Sequence, residues 1–337
     1  MNRNLRFSAE LGLIYLNNPK AGCSTLKFSL WTAVDRLTGR NTFTGKVHDR
    51  RVDPFARDVF ALDESASEIF SRSPMFSVVR NPYSRILAAY LNKIPNDPHV
   101  WTVFHEGFGL RPDLDKNDLP FRDFLRLIAV APPSLLDGHF RPQCDNLLLP
   151  LTKPAFIGYL EDMGSVGDFL AGFGVEIQNH VQHATHSADR LKDYCDPECS
   201  DLIRDIHAED FKLLGYSAAL DDGHEKGRWT ADGADQSDLI RQWIAGEAEP
   251  ENTILDLSVP KRFGRAGNRE QKEEIIRAAV MHDDDWARLQ RYARIAKRKF
   301  GDGGLSAAIQ EKMSVLRARY EQAVGNPSIF RKQRARV

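Results

Sequence analysis

Two short stretches combine residue types that hold an anion. Pro19-Lys20-Ala21-Gly22-Cys23-Ser24-Thr25 brings together an ammonium, a glycine and two hydroxyls. A loop that opens a helix presents backbone N–H groups, and the helix dipole adds positive potential, so the site suits a phosphate or similar anion. Gly22 lets the backbone approach closely. Ser24 and Thr25 can donate hydroxyl hydrogen bonds, and Lys20 places a mobile charge over the ligand. The G-x-x-x-x-G-K-[ST] pattern is absent, which disfavours a nucleoside triphosphatase. The second stretch, Arg80-Asn81-Pro82-Tyr83-Ser84-Arg85, sets two arginines around a rigid proline turn. Guanidinium groups offer planar, paired donors to phosphate. Each stretch also has a plain structural reading, as a strand-to-helix turn with a chance lysine and as a surface ion-pair turn.

His183, His186, Cys195 and Cys199 invite comparison with a zinc site. The C-x₃-C falls across a predicted helix start and no second close pair matches it, so no metal is expected.

The elements around these stretches must position them. Residues 11–16 (LGLIYL) form an apolar run compatible with a strand, and 26–37 (LKFSLWTAVDRL) read as a helix. Residues 75–79 (MFSVV) form a second run, and Ile86, Leu87, Tyr90 and Leu91 follow RNPYSR at helical spacing. Residues 121–130 read as an amphipathic helix ended by a proline-rich loop. Residues 155–160 (AFIGYL) form a third strand candidate ahead of a helix near 163–172, and 198–214 read as a helix closing on Gly215. Strands alternating with helices predict an α/β fold, a mostly parallel sheet flanked by helices.

A chain of 337 residues allows one large domain with an extension, or two domains. With 42% apolar and 28% charged residues, a wholly disordered, collagen-like or membrane-bundle chain is excluded. No apolar run reaches the length of a spanning helix. The N-terminus lacks a signal peptide's apolar stretch, and four cysteines are too few for a disulfide scaffold, so the cytoplasm is the expected compartment. Residues 261–337 carry 19 Lys/Arg against 9 Asp/Glu, a balance of +10, whereas residues 1–260 balance at −11. Residues 221–260 are polar and glycine-rich. The expected organisation is therefore a first domain over 1–220, a linker over 221–260 and a basic helical extension over 261–337. In that extension Trp286, Leu289, Tyr292 and Ala296, then Leu305, Ile309, Met313, Leu316 and Tyr320, recur at helical spacing as a hairpin, with a basic end at RKQRARV. The extension either docks on the acidic body or meets an acidic glycan, an anionic membrane surface or a partner subunit, including a second copy. Nucleic acid is not expected, because the segment holds no recognisable binding module.

Taken as an ordered set, these stretches resemble the family-2 carbohydrate sulfotransferases. PKAGCST is followed about 60 residues later by VVRNPYSR, then by His139-Phe140-Arg141-Pro142-Gln143, FIGYLE at 156–161 and AEDFKLLGY at 208–216. The resemblance covers about residues 10–218 and implies a P-loop-like fold that uses 3′-phosphoadenosine 5′-phosphosulfate (PAPS), without a metal. It implies that the loop Lys20, Ala21, Gly22, Cys23, Ser24, Thr25 holds the 5′-phosphosulfate and that Arg80 grips the 3′-phosphate. Relatives place a serine eight residues after this arginine; here that position is Ala88, and Ser84 lies a turn earlier. Lys93 matches a basic position of the family pattern. Thr185 and Ser187 stand where relatives cover the nucleotide, and Glu161 either orients a site residue or caps the next helix. Sulfuryl transfer to a carbohydrate or glycoconjugate hydroxyl needs a base, for which His48 ranks first and His139 second, with a carboxylate as a further candidate. The rivals are a kinase-like phosphotransferase, whose Walker lysine is missing, and a non-catalytic nucleotide-binding or assembly protein, which Ala88 favours.

Overall fold

A computed structural model of the chain describes residues 4–47, 53–56, 62–131, 136–149, 152–178, 185–220, 286–300 and 304–330, with single positions 273, 276 and 280. It divides into two compact units. One joins Met1–Leu91 to Arg141–Glu249, the other Asn92–Phe140 to Pro250–Val337. The boundaries expected at 220 and 260 adjoin residues outside those described, and residues 92–140 group with the C-terminal helices.

The first unit is built on a four-stranded sheet in the order β1 (Leu5–Ser8), β2 (Leu13–Leu16), β3 (Met75–Val79), β4 (Phe156–Tyr159). β2, β3 and β4 run parallel, with Ile14 opposite Met75 and Val79 opposite Tyr159, while β1 pairs antiparallel with β2 along the edge. Every residue of β2 and β3 is buried, as expected of strands covered on both faces. The anticipated α/β class, with a mostly parallel sheet flanked by helices, is therefore present. The edge strand β1 and the helix α2 (Glu64–Arg72) were not anticipated. Both are short and largely polar in pattern, and their places come from tertiary pairing.

α1 (Cys23–Thr38) covers the sheet with Leu26, Leu30, Trp31, Ala33 and Val34. Trp31 is fully buried, and its Nε1 donates to Thr42 Oγ1 at 2.7 Å. Helix α3 (Pro82–Asn96) opens on a proline at its first position, where the missing N–H costs nothing. In the second unit α4 spans Pro98–Gly107 and α5 spans Phe121–Val130, the latter with the predicted bounds. Back in the first unit come α6 (Gln143–Leu147), α7 (Met163–Ala171) and α8 (Leu191–Tyr194). The helix expected over 198–214 is instead two, α9 (Pro197–Ile206) and α10 (Ala208–Leu214). The break falls at fully buried His207, whose ring is bonded to Asp210.

The second unit holds α4, α5, α11 (Trp286–Phe300) and α12 (Gly304–Val324). The two C-terminal helices pack on each other, as their spacing predicts. An aromatic cluster joins Phe104 to Phe108, Phe124 and Phe140, and Phe108 meets Tyr320 edge-on at 5.3 Å. Arg317 stacks over Phe330 at 4.6 Å. Gly109 takes φ 64°, and a Cβ there would stand 2.8 Å from the Trp286 ring. The basic end, RKQRARV, lies outside the described residues. Among the described residues no helix is long and apolar enough to cross a membrane.

Candidate active site

The first anion loop lies between β2 and α1, as the sequence predicts. Lys20 takes φ 68° and Gly22 takes φ 73°, so two left-handed residues flank the fully buried Ala21. For lysine this conformation costs about 1–2 kcal/mol, a strain that surrounding structure must hold. At Gly22 the left-handed φ favours glycine, and a Cβ would displace the Leu160 side-chain end, whose Cδ1 would stand at 3.0 Å. No side chain caps α1, and the positive end of its dipole faces the loop. Cys23, Ser24 and Thr25 form its half-buried first turn. Fully buried Arg85 steadies the loop from beneath, donating from Nε to Pro19 O at 3.0 Å and from Nη1 to Arg141 O at 2.9 Å. The two arginines of RNPYSR therefore do not share a ligand. Arg85 is consumed by backbone carbonyls, which corrects the paired reading.

Arg80 lies at the end of β3 with its guanidinium turned toward that loop. Nε donates to Ser84 Oγ at 2.9 Å, Nη2 to Ser187 Oγ at 2.7 Å and Nη1 to Lys20 O at 3.4 Å. Ser187 is fully buried and donates in turn to Ser84 O at 2.8 Å. No carboxylate stands within ion-pair range of Arg80 among the described residues. Burial pushes its guanidinium below the ordinary value, while the Glu161 carboxylate and Tyr216 phenol work the other way. A buried cation compensated by hydroxyls and a carbonyl is costly unless an anion joins it. Lys20, Ser84, Arg80 and Ser187 are thus brought together. Thr185 stands half-buried two residues before Ser187, and Ala88 is buried in α3 with no hydroxyl to offer.

Residues outside the two loops hold this geometry, Glu161 in the orienting role anticipated for it and Asp210 and Gln143 without having been assigned a role. Glu161 accepts from Asn81 N at 2.8 Å and from Tyr216 Oη at 3.1 Å, so it pins the RNP turn to the end of the FKLLGY segment. Burial and the neighbouring Glu161 raise the Tyr216 phenol well above its ordinary value. Asp210, fully buried, accepts from the backbone N–H of Gln143 and Cys144, both at 2.8 Å, and from His207 Nδ1 at 3.1 Å. Burial alone would raise its carboxyl, but the bond and charge of His207, then Arg85 and the backbone bond, hold it below the usual range. Gln143 bonds both main-chain groups of Arg80. The fragments carrying these residues were visible in the sequence. Their partners were not, because these bonds span 63 to 80 residues of chain.

The remaining expected site residues fall elsewhere. His48 and His183 lie outside the described residues. His139 belongs to the second unit, where its Nδ1 and backbone N–H both bond Asp137 Oδ1. Burial raises the Asp137 carboxyl, yet the His139 bonds and charge outweigh this and bring it to about 2. Lys93 pairs with Asp97 at 2.8 Å in the same unit. His186 is exposed, whereas Cys195 is buried and its thiol is pushed up to about 12 by burial, then by Cys199 and Asp196. Among the described residues no group of three or more His, Cys, Asp or Glu is placed to hold a metal.

No curated protein and no solved structure matches the chain. A family model does, described as "Sulfotransferase family" and matching residues 3–217, which span the sheet, both anion loops and the Gln143, Glu161 and Asp210 supports. On this match, and with a mostly parallel sheet carrying the two loops at its strand ends, the chain belongs to the sulfotransferase family.

Proposed function

We propose that this sulfotransferase moves a sulfuryl group from PAPS to a hydroxyl of a carbohydrate or glycoconjugate. The observation that carries the donor assignment is the half-buried Arg80 guanidinium, which has no carboxylate in ion-pair range among the described residues and is held beside Lys20 by Ser84 and Ser187. That group fits a second anionic end on the nucleotide, the 3′-phosphate. The uncapped start of α1, with Lys20, Ala21, Gly22, Cys23, Ser24 and Thr25, fits the 5′-phosphosulfate.

When bound, the donor supplies an activated SO₃ group for in-line displacement, by analogy with phosphoryl transfer. Lys20 meets the negative charge that develops on the bridging oxygen as the S–O bond breaks. Arg80, Ser84 and Ser187, with Thr185 beside them, orient the nucleotide. As the acceptor oxygen bonds sulfur, its proton passes to a base, for which His48 and His139 are the candidates. In His139 the Asp137 contact engages Nδ1 and assigns the proton-accepting lone pair to Nε2.

Calorimetric titration with 3′-phosphoadenosine 5′-phosphate (PAP), beside AMP and ATP, tests the reading. Micromolar binding that needs the 3′-phosphate and is lost in Lys20→Ala and Arg80→Ala is expected. No binding, or a preference for ATP, overturns it. Binding without turnover on any glycan acceptor would favour the non-catalytic reading.

A further inference from the structure

The parallel sheet ends where the two anion loops begin, yet its hydrogen bonding does not. β2 stops at Leu16 and β3 at Val79. Beyond that edge, side-chain amides stand in for backbone. Asn18 Nδ2 donates to Val78 O at 3.1 Å. Gln143 pairs with Arg80 as a strand residue would: its Oε1 accepts from Arg80 N at 2.9 Å and its Nε2 donates to Arg80 O at 2.8 Å. The same Oε1 accepts from Asn18 Nδ2 at 2.8 Å, so one amide joins the two loops. Gln143 and Asn18 are both fully buried. The Gln143 main chain is itself anchored, its N–H donating to Asp210 Oδ2 at 2.8 Å.

Two consequences follow from this arrangement. The backbone of Arg80 has no freedom to slide along the strand direction, because both its donor and its acceptor are taken by one rigid planar group. The first loop is tied to the same atom, so this one amide clamps both loops, beside the single bonds that Asn18 makes to Val78 O and Arg85 to Pro19 O. A ligand charged at both ends gains from two sites only when their separation is held at its own length. We infer that Gln143 is a positioning residue that sets the spacing of the Lys20 and Arg80 loops and thereby the preference for a nucleotide bearing phosphate at both its 5′ and 3′ ends. This rests on the PAPS reading above. It adds a role for the glutamine of HFRPQ, and it assigns specificity to a residue that need not touch the ligand.

The test is titration calorimetry of the full chain and of Gln143→Leu with PAP and with AMP, beside thermal melts. Ser8→Ala serves as the control, since it removes the buried acceptor of the Leu11 N–H at 3.2 Å in the β1–β2 turn, at the other end of β2 from the loops. The wild type is expected to prefer PAP. In Gln143→Leu the PAP-to-AMP affinity ratio should fall at least tenfold while AMP affinity changes less than threefold. Ser8→Ala should lower the melting temperature and leave the ratio unchanged. A ratio kept in Gln143→Leu, or lost equally in Ser8→Ala, overturns the proposal and spares the donor assignment. A wild type indifferent to the 3′-phosphate overturns both. Should Gln143→Leu fail to fold, Asn18→Ser removes the bridge from the other loop. It must lower the same ratio at least threefold, and a ratio unchanged there overturns the proposal.

Discussion

In the proposed function, Arg80 is the residue on which donor recognition turns. Its three hydrogen bonds go to hydroxyl and carbonyl oxygens, which cannot neutralise it. Replacing it by lysine keeps a charge but loses the planar fork that spans Ser84 and Ser187. Arg80→Lys is therefore expected to weaken PAP at least tenfold, about 1.4 kcal/mol, with AMP little affected, as read by calorimetry. Ser187, fully buried, bridges the Arg80 guanidinium and the Ser84 carbonyl. Removing it leaves an arginine N–H short of a partner, which should lower stability by about 1–3 kcal/mol in urea melts. A Ser187→Ala protein as stable as the wild type would show that water replaces the hydroxyl at no cost.

At the scale of the element, the strained turn ahead of α1 makes a distinct prediction. Lys20 sits at φ 68° and contributes charge, two properties that substitution can separate. Lys20→Gly should be more stable than Lys20→Ala by about 1 kcal/mol, because glycine accepts a left-handed φ without strain and loses only part of that gain to chain entropy. Both variants should lose donor binding alike, since both lack the ammonium. At Gly22 the strain and the Leu160 contact act together, so Gly22→Ala should cost at least as much stability and also weaken binding. Equal melting of Lys20→Gly and Lys20→Ala would show that the turn relaxes in the variants.

Over the whole molecule, three depressed carboxyls, Asp97, Asp137 and Asp210, make folding sensitive to acid. Against the effect of burial, the His139 bonds and charge bring the Asp137 carboxyl to about 2, and His207 holds Asp210 below its usual range, both lower than in an unfolded chain. A carboxyl with a depressed folded value contributes stability above its unfolded value of 3.8, and that contribution is lost as pH falls toward the folded value. Unfolding free energy should thus fall between pH about 4 and about 2. Asp137→Asn should narrow the gap between urea midpoints at pH 7 and pH 2.5, measured beside the wild type. An unchanged gap would remove Asp137 from the acid response. The second unit depends on both of its chain segments. Tyr320, fully buried against Phe108, should cost about 3–5 kcal/mol when truncated to alanine, as large aromatic deletions do.

Local pattern was enough for the class of fold and for the two loops. β3 and α5 fall on their predicted bounds, because a fully apolar run and a strong helical period are properties of neighbouring residues. PKAGCST and RNPYSR were legible for the same reason, their chemistry being contained in a few consecutive positions. The break at His207, the edge strand β1, the consumption of Arg85 by carbonyls and the clasp of Gln143 on Arg80 were not legible. Each depends on a partner distant along the chain, and no period or spacing encodes which buried amide or carboxylate will find it. The sequence by itself determined which residues could bind anions. The tertiary structure decided that the Arg80 guanidinium meets Ser84, Ser187 and the Lys20 carbonyl while Arg85 braces the loop, because only the folded sheet edge determines which guanidinium finds which backbone carbonyls.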